Sequence, residues 1–556
     1  MQESPSHWPY QLQLHKSLIE RQQGIAPVAS SDTTTVSPTL SISTARHSLV
    51  ITIANGLGVI SGILLDMLTA ARFGLGREMD TFFLAATIPQ MLVSVFNSIG
   101  ARAMVPVFTR VLSEENKRDF ESFLSTVLAF GLLAMGAGVA VFFLISPVVI
   151  RALSPRLSGM DFKLAVRILR ILCLSLLPLA VVEPLRAVHL SHGRFFLASI
   201  TNAVRFSAVI VILSLLYQPW GILALAWGHA LGTLAQAVCL MLSFYWHGGR
   251  CMPVLLIRHP AIRTLLHQFV PPLIGELTGQ SNIIVERFLA SFLPPGTVSA
   301  LGYSRRIVTA LHGLFVNSVG TALLPHLSLE TLQQSREQIR RLTLLGIRLT
   351  TFFTGLVMVS TMALSRPLVG LLFRRGAFDQ SAVEITARLL TIFVPSILLM
   401  SISYLMMTVL YTYQETRLVM RLRLALLGIT VLFDGMLLKL WDGAGLAAAY
   451  TLAQLFYLVI VYIALSRYLG CFARDIKLYL IRLLGPVLVA GIIMALVCSI
   501  TWFKLSGPLL HLLQLVSAFG VGSGLYLILT IGLRLLSWRD IKQFATGMVS
   551  RRSFFR

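Results

Sequence analysis

Asn97-Ser98-Ile99-Gly100, with Pro106 downstream, recurs as Asn317-Ser318-Val319-Gly320, with Pro325 downstream. The offset is 317 − 97 = 220 residues. A membrane helix plus its loop takes roughly 35 residues when about 20 apolar residues span the hydrocarbon core, so the offset holds about six helices. An even number of crossings returns the chain to the same side. The copies are therefore parallel, two halves related by an axis along the membrane normal, with a cavity expected between them near mid-membrane. That is the architecture of a transporter.

Composition supports the same solvent. The 556 residues are 56% hydrophobic and only 12% charged, with a mean hydropathy of +0.79, whereas a soluble globule carries about 25% charged residues. Lys+Arg 46 against Asp+Glu 23 gives +23; in a membrane protein this excess belongs to cytoplasmic loops rather than to a nucleic-acid surface, so no nucleic-acid partner is expected. Cys173, Cys239, Cys251, Cys471 and Cys498 show no metal or redox spacing. Residues 1–45 are polar, rich in Ser, Thr and Pro, and lack the basic and apolar regions of a secretory signal; they read as a disordered cytoplasmic tail. From Leu49 to about residue 535, apolar segments of spanning length follow one another about fourteen times. The fold class is thus an all-α integral membrane protein with both termini on one side. Alternate loops carry the basic residues (Arg110, Lys117 and Arg118; Arg336, Arg340 and Arg341; Arg467, Arg474 and Lys477), as does the tail at 541–556. These are the cytoplasmic ones. Two opposite loops break the pattern, and one of them, Phe373-Arg374-Arg375-Gly376-Ala377-Phe378, reads as an amphipathic interfacial turn.

An ionisable residue inside a span costs about 2.5–3.5 kcal/mol on insertion scales and persists where it faces a partner or a wet cavity. Those within or at the ends of spans are Asp66, Asp80, Arg102, Glu183 and Arg205 in the first half, and Glu276, Glu286, Arg287, Arg305, Arg306 and Asp434 in the second. Each has a plain structural alternative, an internal ion pair or an interfacial position, and Glu183 with Arg186 on one helical face reads as such a pair. Arg305 and Arg306 are adjacent, so they cannot face one partner, and at least one is expected to point at the cavity. A guanidinium holds phosphate oxygens in a planar fork, which favours an anionic, phosphate-bearing cargo.

At these residues the chain resembles the MurJ/MviN lipid II flippases of the multidrug/oligosaccharidyl-lipid/polysaccharide exporter superfamily. The resemblance is carried by Ile283-Ile284-Val285-Glu286-Arg287-Phe288-Leu289-Ala290-Ser291-Phe292-Leu293-Pro294-Pro295-Gly296, then Tyr303, Arg306 and Gly320-Thr321-Ala322-Leu323-Leu324-Pro325. Phe73-Gly74-Leu75-Gly76 with Asp80, and Leu372-Phe373-Arg374-Arg375-Gly376, add to it. It implies two six-helix lobes (46–250 and 251–466), two further helices grooved for a lipid tail (467–540), and transport of an undecaprenyl-pyrophosphate-linked glycan across the bacterial inner membrane by alternating access. Peptidoglycan biosynthesis is the implied process. The expected cavity residues are Arg306, Asp66, Asp80 and Glu286, with Arg305, Arg205 and Arg102 replacing from other helices the positive charge that family positions lack here. A sodium site of helices seven, eleven and twelve, as in some members, falls on Glu276, Asp434 and Thr451, with Na+ or H+ as coupling ion and no other cofactor. Departures are plain: Leu65 stands where the family commonly has an arginine before the aspartate, Val93 and Ser94 stand where its second helix carries arginines, and Thr309 replaces an acidic residue. They leave an exopolysaccharide repeat unit, or a scaffold that no longer transports, as alternatives. The short loops and unclustered histidines argue against an enzyme. Partners are the lipid-linked glycan and membrane lipids; the sequence is silent on oligomeric state.

Overall fold

The computed structural model describes residues 38–114, 117–250, 260–313, 336–413, 415–471, 473–502, 508–533 and 535. The second copy of the repeat at 317–325, the tail at 541–556 and most of the expected amino-terminal tail lie outside these residues.

Among the described residues every element is a helix and no strand occurs, a form in which each span satisfies its own backbone without water. The first half comprises α1 (Pro38–Phe73), α2 (Arg77–Ile99), a π-helical turn (Gly100–Met104), α3 (Val105–Glu114), α4 (Lys117–Leu153), α5 (Gly159–Cys173), α6 (Leu176–Ser191), α7 (Phe195–Trp220) and α8 (Ile222–Trp246). α1 begins inside the stretch read as a tail. The second half comprises α9 (Pro260–Ala290), α10 (297–313), α11 (Arg336–Ala363), α12 (Ser365–Phe373), α13 (Gln380–Phe393), α14 (Pro395–Thr412) and α15 (Thr416–Leu469). α16 (Ala473–Trp502) and α17 (Pro508–Gly532) pair with each other and lie against α11 and α12. Eleven helices among the described residues are long and apolar enough to cross a membrane, which makes this a multi-pass membrane protein. The expected fourteen is not reached by that count, in part because α15 is two helices run together at a kink.

The kink exposes the internal repeat more clearly than the sequence does. Trp441 and Asp442 interrupt α15, with Asp442 at φ 49° and ψ −129°; Gly221, which follows Trp220 between α7 and α8, stands at φ 51° and ψ −130°. The two turns are 442 − 221 = 221 residues apart, against 220 for the sequence repeat. The same spacing pairs Asp66 with Glu286 (286 − 66 = 220) and Phe83 with Tyr303 (303 − 83 = 220), and these two rings touch across the halves, edge to face at 5.6 Å.

The halves meet unevenly. Where α1 ends and α2 begins they share one apolar core that includes Phe82, Phe83, Tyr303, Phe373, Phe378 and Phe393. Toward the other end the apolar side chains fall into separate cores, one around Phe108, Phe120 and Phe123 that also takes in Leu265 of α9, the other around Leu405, Val409 and Leu465. Among the described residues the molecule thus has an end where the halves share one core, the joined end, and an end where, α9 apart, their cores are separate, the parted end. α9 crosses between them, resting on α2 and the π-helical turn.

Candidate functional site

At the joined end the backbones themselves interlock. The helix α10 starts at Gly296, which has no side chain with which to cap the free N–H groups of the first turn. Asp80, from α2 of the other half, supplies the missing carboxylate: it accepts from the Gly296 N–H at 2.5 Å and from the Ser299 N–H at 2.7 Å. A negative group here also suits the positive end of the helix dipole. Gly296 stands at φ +91°, and a Cβ on it would meet the Leu75 carbonyl, so glycine is required for the close approach. The Ala377 N–H donates to the Ala71 carbonyl at 2.8 Å, and the Arg156 guanidinium to the Phe292 carbonyl at 3.1 Å. Phe373 and Phe378 bury their rings on Tyr303 at 5.1 and 5.7 Å, while Arg374 and Arg375 between them stay exposed. Asp80, expected as a cavity residue, lines neither cavity described below and is a clamp on the joined end.

One to two turns inward lie Arg305 and Arg306, and both are paired. Arg306 makes an ion pair with Asp66 across the halves, and Arg305 with Glu286 in its own half. Adjacent arginines thus serve the two equivalent carboxylates of the repeat, one each. Arg305 also lies over the ring of Tyr450 at 4.5 Å and Arg306 over Phe83 at 5.4 Å. With the joined end closed, both guanidiniums are held by carboxylates, and neither residue is among those lining the two cavities described below.

Further toward the parted end each half holds a cavity. That of the first half, about 290 Å³, is lined by Gln90, Ser94, Asn97, Arg205, His229 and Thr233 among others. Arg205 lies over Phe206 at 5.3 Å, and its Nε has no hydrogen-bond partner among the described residues. Glu183 lies within electrostatic reach of it and is bonded by Arg186 at 2.7 Å, the pair expected from the sequence. Arg186 also donates to the Asn97 carbonyl at 3.3 Å, just before the π-helical turn that loosens the helical ladder there. The cavity of the second half, about 560 Å³, is lined by Glu276, Gln280, Asn282, His312, Tyr404, Tyr411, Arg423, Tyr450 and Gln454 among others. A seam of hydrogen bonds separates the two: Gln280 donates to Ser94 at 2.9 Å and to Glu276 at 3.2 Å, and Ser98 donates to Glu276 at 3.2 Å.

Arg205 thus lines the first-half cavity; the side chain of Arg102 lies outside those described. The residues expected to hold sodium are Glu276, Asp434 and Thr451. Glu276 lines the second-half cavity, but neither Asp434 nor Thr451 does. The Thr451 hydroxyl has the Ile392 and Ala447 carbonyls as acceptors at 2.8 and 3.1 Å, which leaves its lone pairs available, and Asp434, buried, lies within electrostatic reach of Arg305. Sequence reasoning missed the aromatic second-half cavity, and its signal was available: Tyr404 and Tyr411 are seven apart, on one face of a helix otherwise read as plain span.

Comparison with known proteins places the chain among membrane transporters. A family model described as lipid II flippase MurJ matches residues 69–513. The probable lipid II flippase MurJ of Vibrio cholerae is 26% identical over 525 residues, covering 89% of this chain and 97% of that protein. That of Buchnera aphidicola subsp. Schizaphis graminum is 23% identical over 492 residues, covering 86% and 95%. Among solved structures, a lipid II flippase MurJ in an inward closed conformation superposes with a TM-score of 0.72 at 22% identity, covering 89% of this chain and all of that one. An inward-facing multidrug MATE transporter superposes with 0.63 at 12% identity, covering 76% and 94%.

Proposed function

This chain belongs to the lipid II flippase MurJ family, and from that premise we propose that it carries lipid II, an undecaprenyl-pyrophosphate-linked glycan, from the cytoplasmic to the periplasmic leaflet of the bacterial inner membrane. The headgroup is too polar to cross hydrocarbon unaided, whereas the isoprenoid tail can stay in lipid. The protein need only enclose the head. The basic loops put the termini and the parted end in the cytoplasm, so the joined end is the periplasmic gate, shut. A headgroup arrives from the cytoplasm between the separate cores, and its phosphates meet Arg205, whose Nε is unspent. Opening the gate pulls Asp66 away from Arg306, because the two belong to different halves, and frees a second guanidinium for phosphate. The bond lost to the carboxylate is replaced by one to cargo, which lets cargo favour the open state.

The observation that carries this reading is the cationic cavity beneath a gate closed by contacts between the halves. Depleting the protein in growing cells is expected to accumulate lipid II on the cytoplasmic side, and plasmid-borne Arg306→Ala or Arg205→Ala, confirmed present in the membrane, is expected not to relieve it. Normal lipid II delivery in depleted cells overturns the proposal; full rescue by both variants removes the role given to the arginines.

A further inference from the structure

The two cavities occupy equivalent places in the repeat, yet their chemistry is different. With the 221-residue spacing of the matching turns, Arg205 corresponds to Leu426, His229 to Tyr450 and Thr233 to Gln454, and the members of each pair line their respective cavities. With the 220-residue spacing, Tyr404 and Asn282 correspond to Pro184 and Gly62. The first half carries no aromatic or amide side chain at those places. What the second-half groups provide is a chamber with aromatic walls and unspent polar atoms. Tyr404 and Tyr411 are exposed to it, at 39% and 42%. Asn282 Oδ1 and His312 Nε2 are buried with no hydrogen-bond partner among the described residues. A buried polar atom left unpaired is costly, and both belong to residues that line one cavity, so the set is arranged for a partner of its own.

We propose that the second-half cavity is a saccharide compartment. A pyranose ring has an apolar C–H face, which suits a tyrosine ring, and a rim of hydroxyls that both donate and accept, which suits Asn282, His312 and Gln454 together. A phosphate is less favoured, since Glu276 on the same wall opposes the charge of Arg423, which also gives one of its five N–H donors to the Gly275 carbonyl at 2.8 Å. The seam between Ser94 and Gln280 sets this compartment directly beside the one that holds Arg205, so a pyrophosphate on one side and the first sugar on the other is the arrangement the two chemistries select. This assignment rests on the flippase reading and adds where the glycan sits.

The test compares two probes on the purified full-length protein in detergent: lipid II, and undecaprenyl pyrophosphate, which has no sugar. Tyr404→Ala and Asn282→Leu are expected to weaken binding of lipid II by about tenfold each and to leave binding of the sugar-free lipid as it was, which also shows that the variants are folded. Tyr404→Phe, which keeps the ring, retains most of the lipid II affinity. Arg306→Ala and Arg205→Ala weaken both probes if the phosphate reading holds; if they weaken neither while the Tyr404 and Asn282 variants still discriminate, that reading fails and the saccharide compartment stands. Equal loss of both probes, loss of neither, or a parent protein that binds the two lipids equally overturns the compartment, and a parent that binds neither overturns the flippase reading with it.

Discussion

Asp442 holds a backbone conformation that its glycine counterpart, Gly221, adopts freely. With φ at 49° and ψ at −129°, a Cβ is crowded, and a non-glycine residue there costs on the order of 1 kcal/mol. Asp442→Gly is therefore expected to stabilise the protein by about that much, read as a rise in melting temperature in detergent, and Asp442→Val to lower it. Asp379 shows the opposite economy. It caps α13, accepting from the Ala382 N–H and the Ser381 hydroxyl, both at 2.8 Å, and these donors hold its carboxyl below the ordinary carboxylate range. A depressed folded-state value means that the contribution is full above the ordinary aspartate pKa near ~3.9 and is lost as pH falls through the lower folded value. Asp379→Ala should cost about 1 kcal/mol or less at neutral pH, and the gap between variant and parent should close as pH falls through the depressed folded value. A gap that persists unchanged into acid would contradict the cap. At this scale the sequence was partly readable. Glu183 with Arg186 followed from spacing alone, whereas the partners of Arg305 and Arg306 did not, because Asp66 and Glu286 reach them only once the halves are packed. The signal was the 220-residue offset between those two carboxylates.

The hairpin of α7 and α8 shows how small residues set the closeness of two helices. Gly228 and Gly232, four apart on α8, face Val209 and Arg205 of α7; a Cβ on Gly232 would lie 2.8 Å from the Arg205 carbonyl and 2.9 Å from a Val209 methyl. Close approach through small residues is how helices associate where lipid gives no hydrophobic drive. Gly232→Val should force the pair apart at a cost of about 1–3 kcal/mol, and because α7 carries Arg205, it should weaken binding of undecaprenyl pyrophosphate more than the similar change Gly520→Val on α17, where a Cβ meets nothing within 4 Å. Equal effects at the two positions would argue that the spacing of α7 and α8 does not position the arginine. Helices and their rough ends were legible from hydropathy, since each span must satisfy its own backbone. The turn at Asp442 was not, because an aspartate gives no warning of a positive φ; only its alignment with Gly221 does.

For the whole molecule, the balance between closed and open gate rests on contacts that belong to neither half alone. Asp80 makes two charge-assisted hydrogen bonds across the halves, each worth about 1.5–3 kcal/mol when intact. Asp80→Ala should thus shift the population toward the form parted at the periplasmic end by at least about tenfold. A cysteine at Ser299, fully buried in the closed form, in a chain whose own cysteines are replaced, should then label faster with a membrane-impermeant maleimide; an unchanged rate would show that Asp80 does not hold the gate. The parallel two-half plan was written in the repeat of Asn97-Ser98-Ile99-Gly100, and the family in the run from Ile283 to Gly296. The role of Asp80 escaped sequence reading because a charged residue near a span end looks the same whether it meets cargo or caps a distant helix. Two unlike chambers on either side of the Ser94–Gln280 bond also make the protein a gauge of length. A bare phosphate-tailed carrier fills one chamber and leaves the other wet, whereas a loaded carrier satisfies both at once, so empty carrier drifting back through the same bilayer competes poorly for the machine that exports the full one.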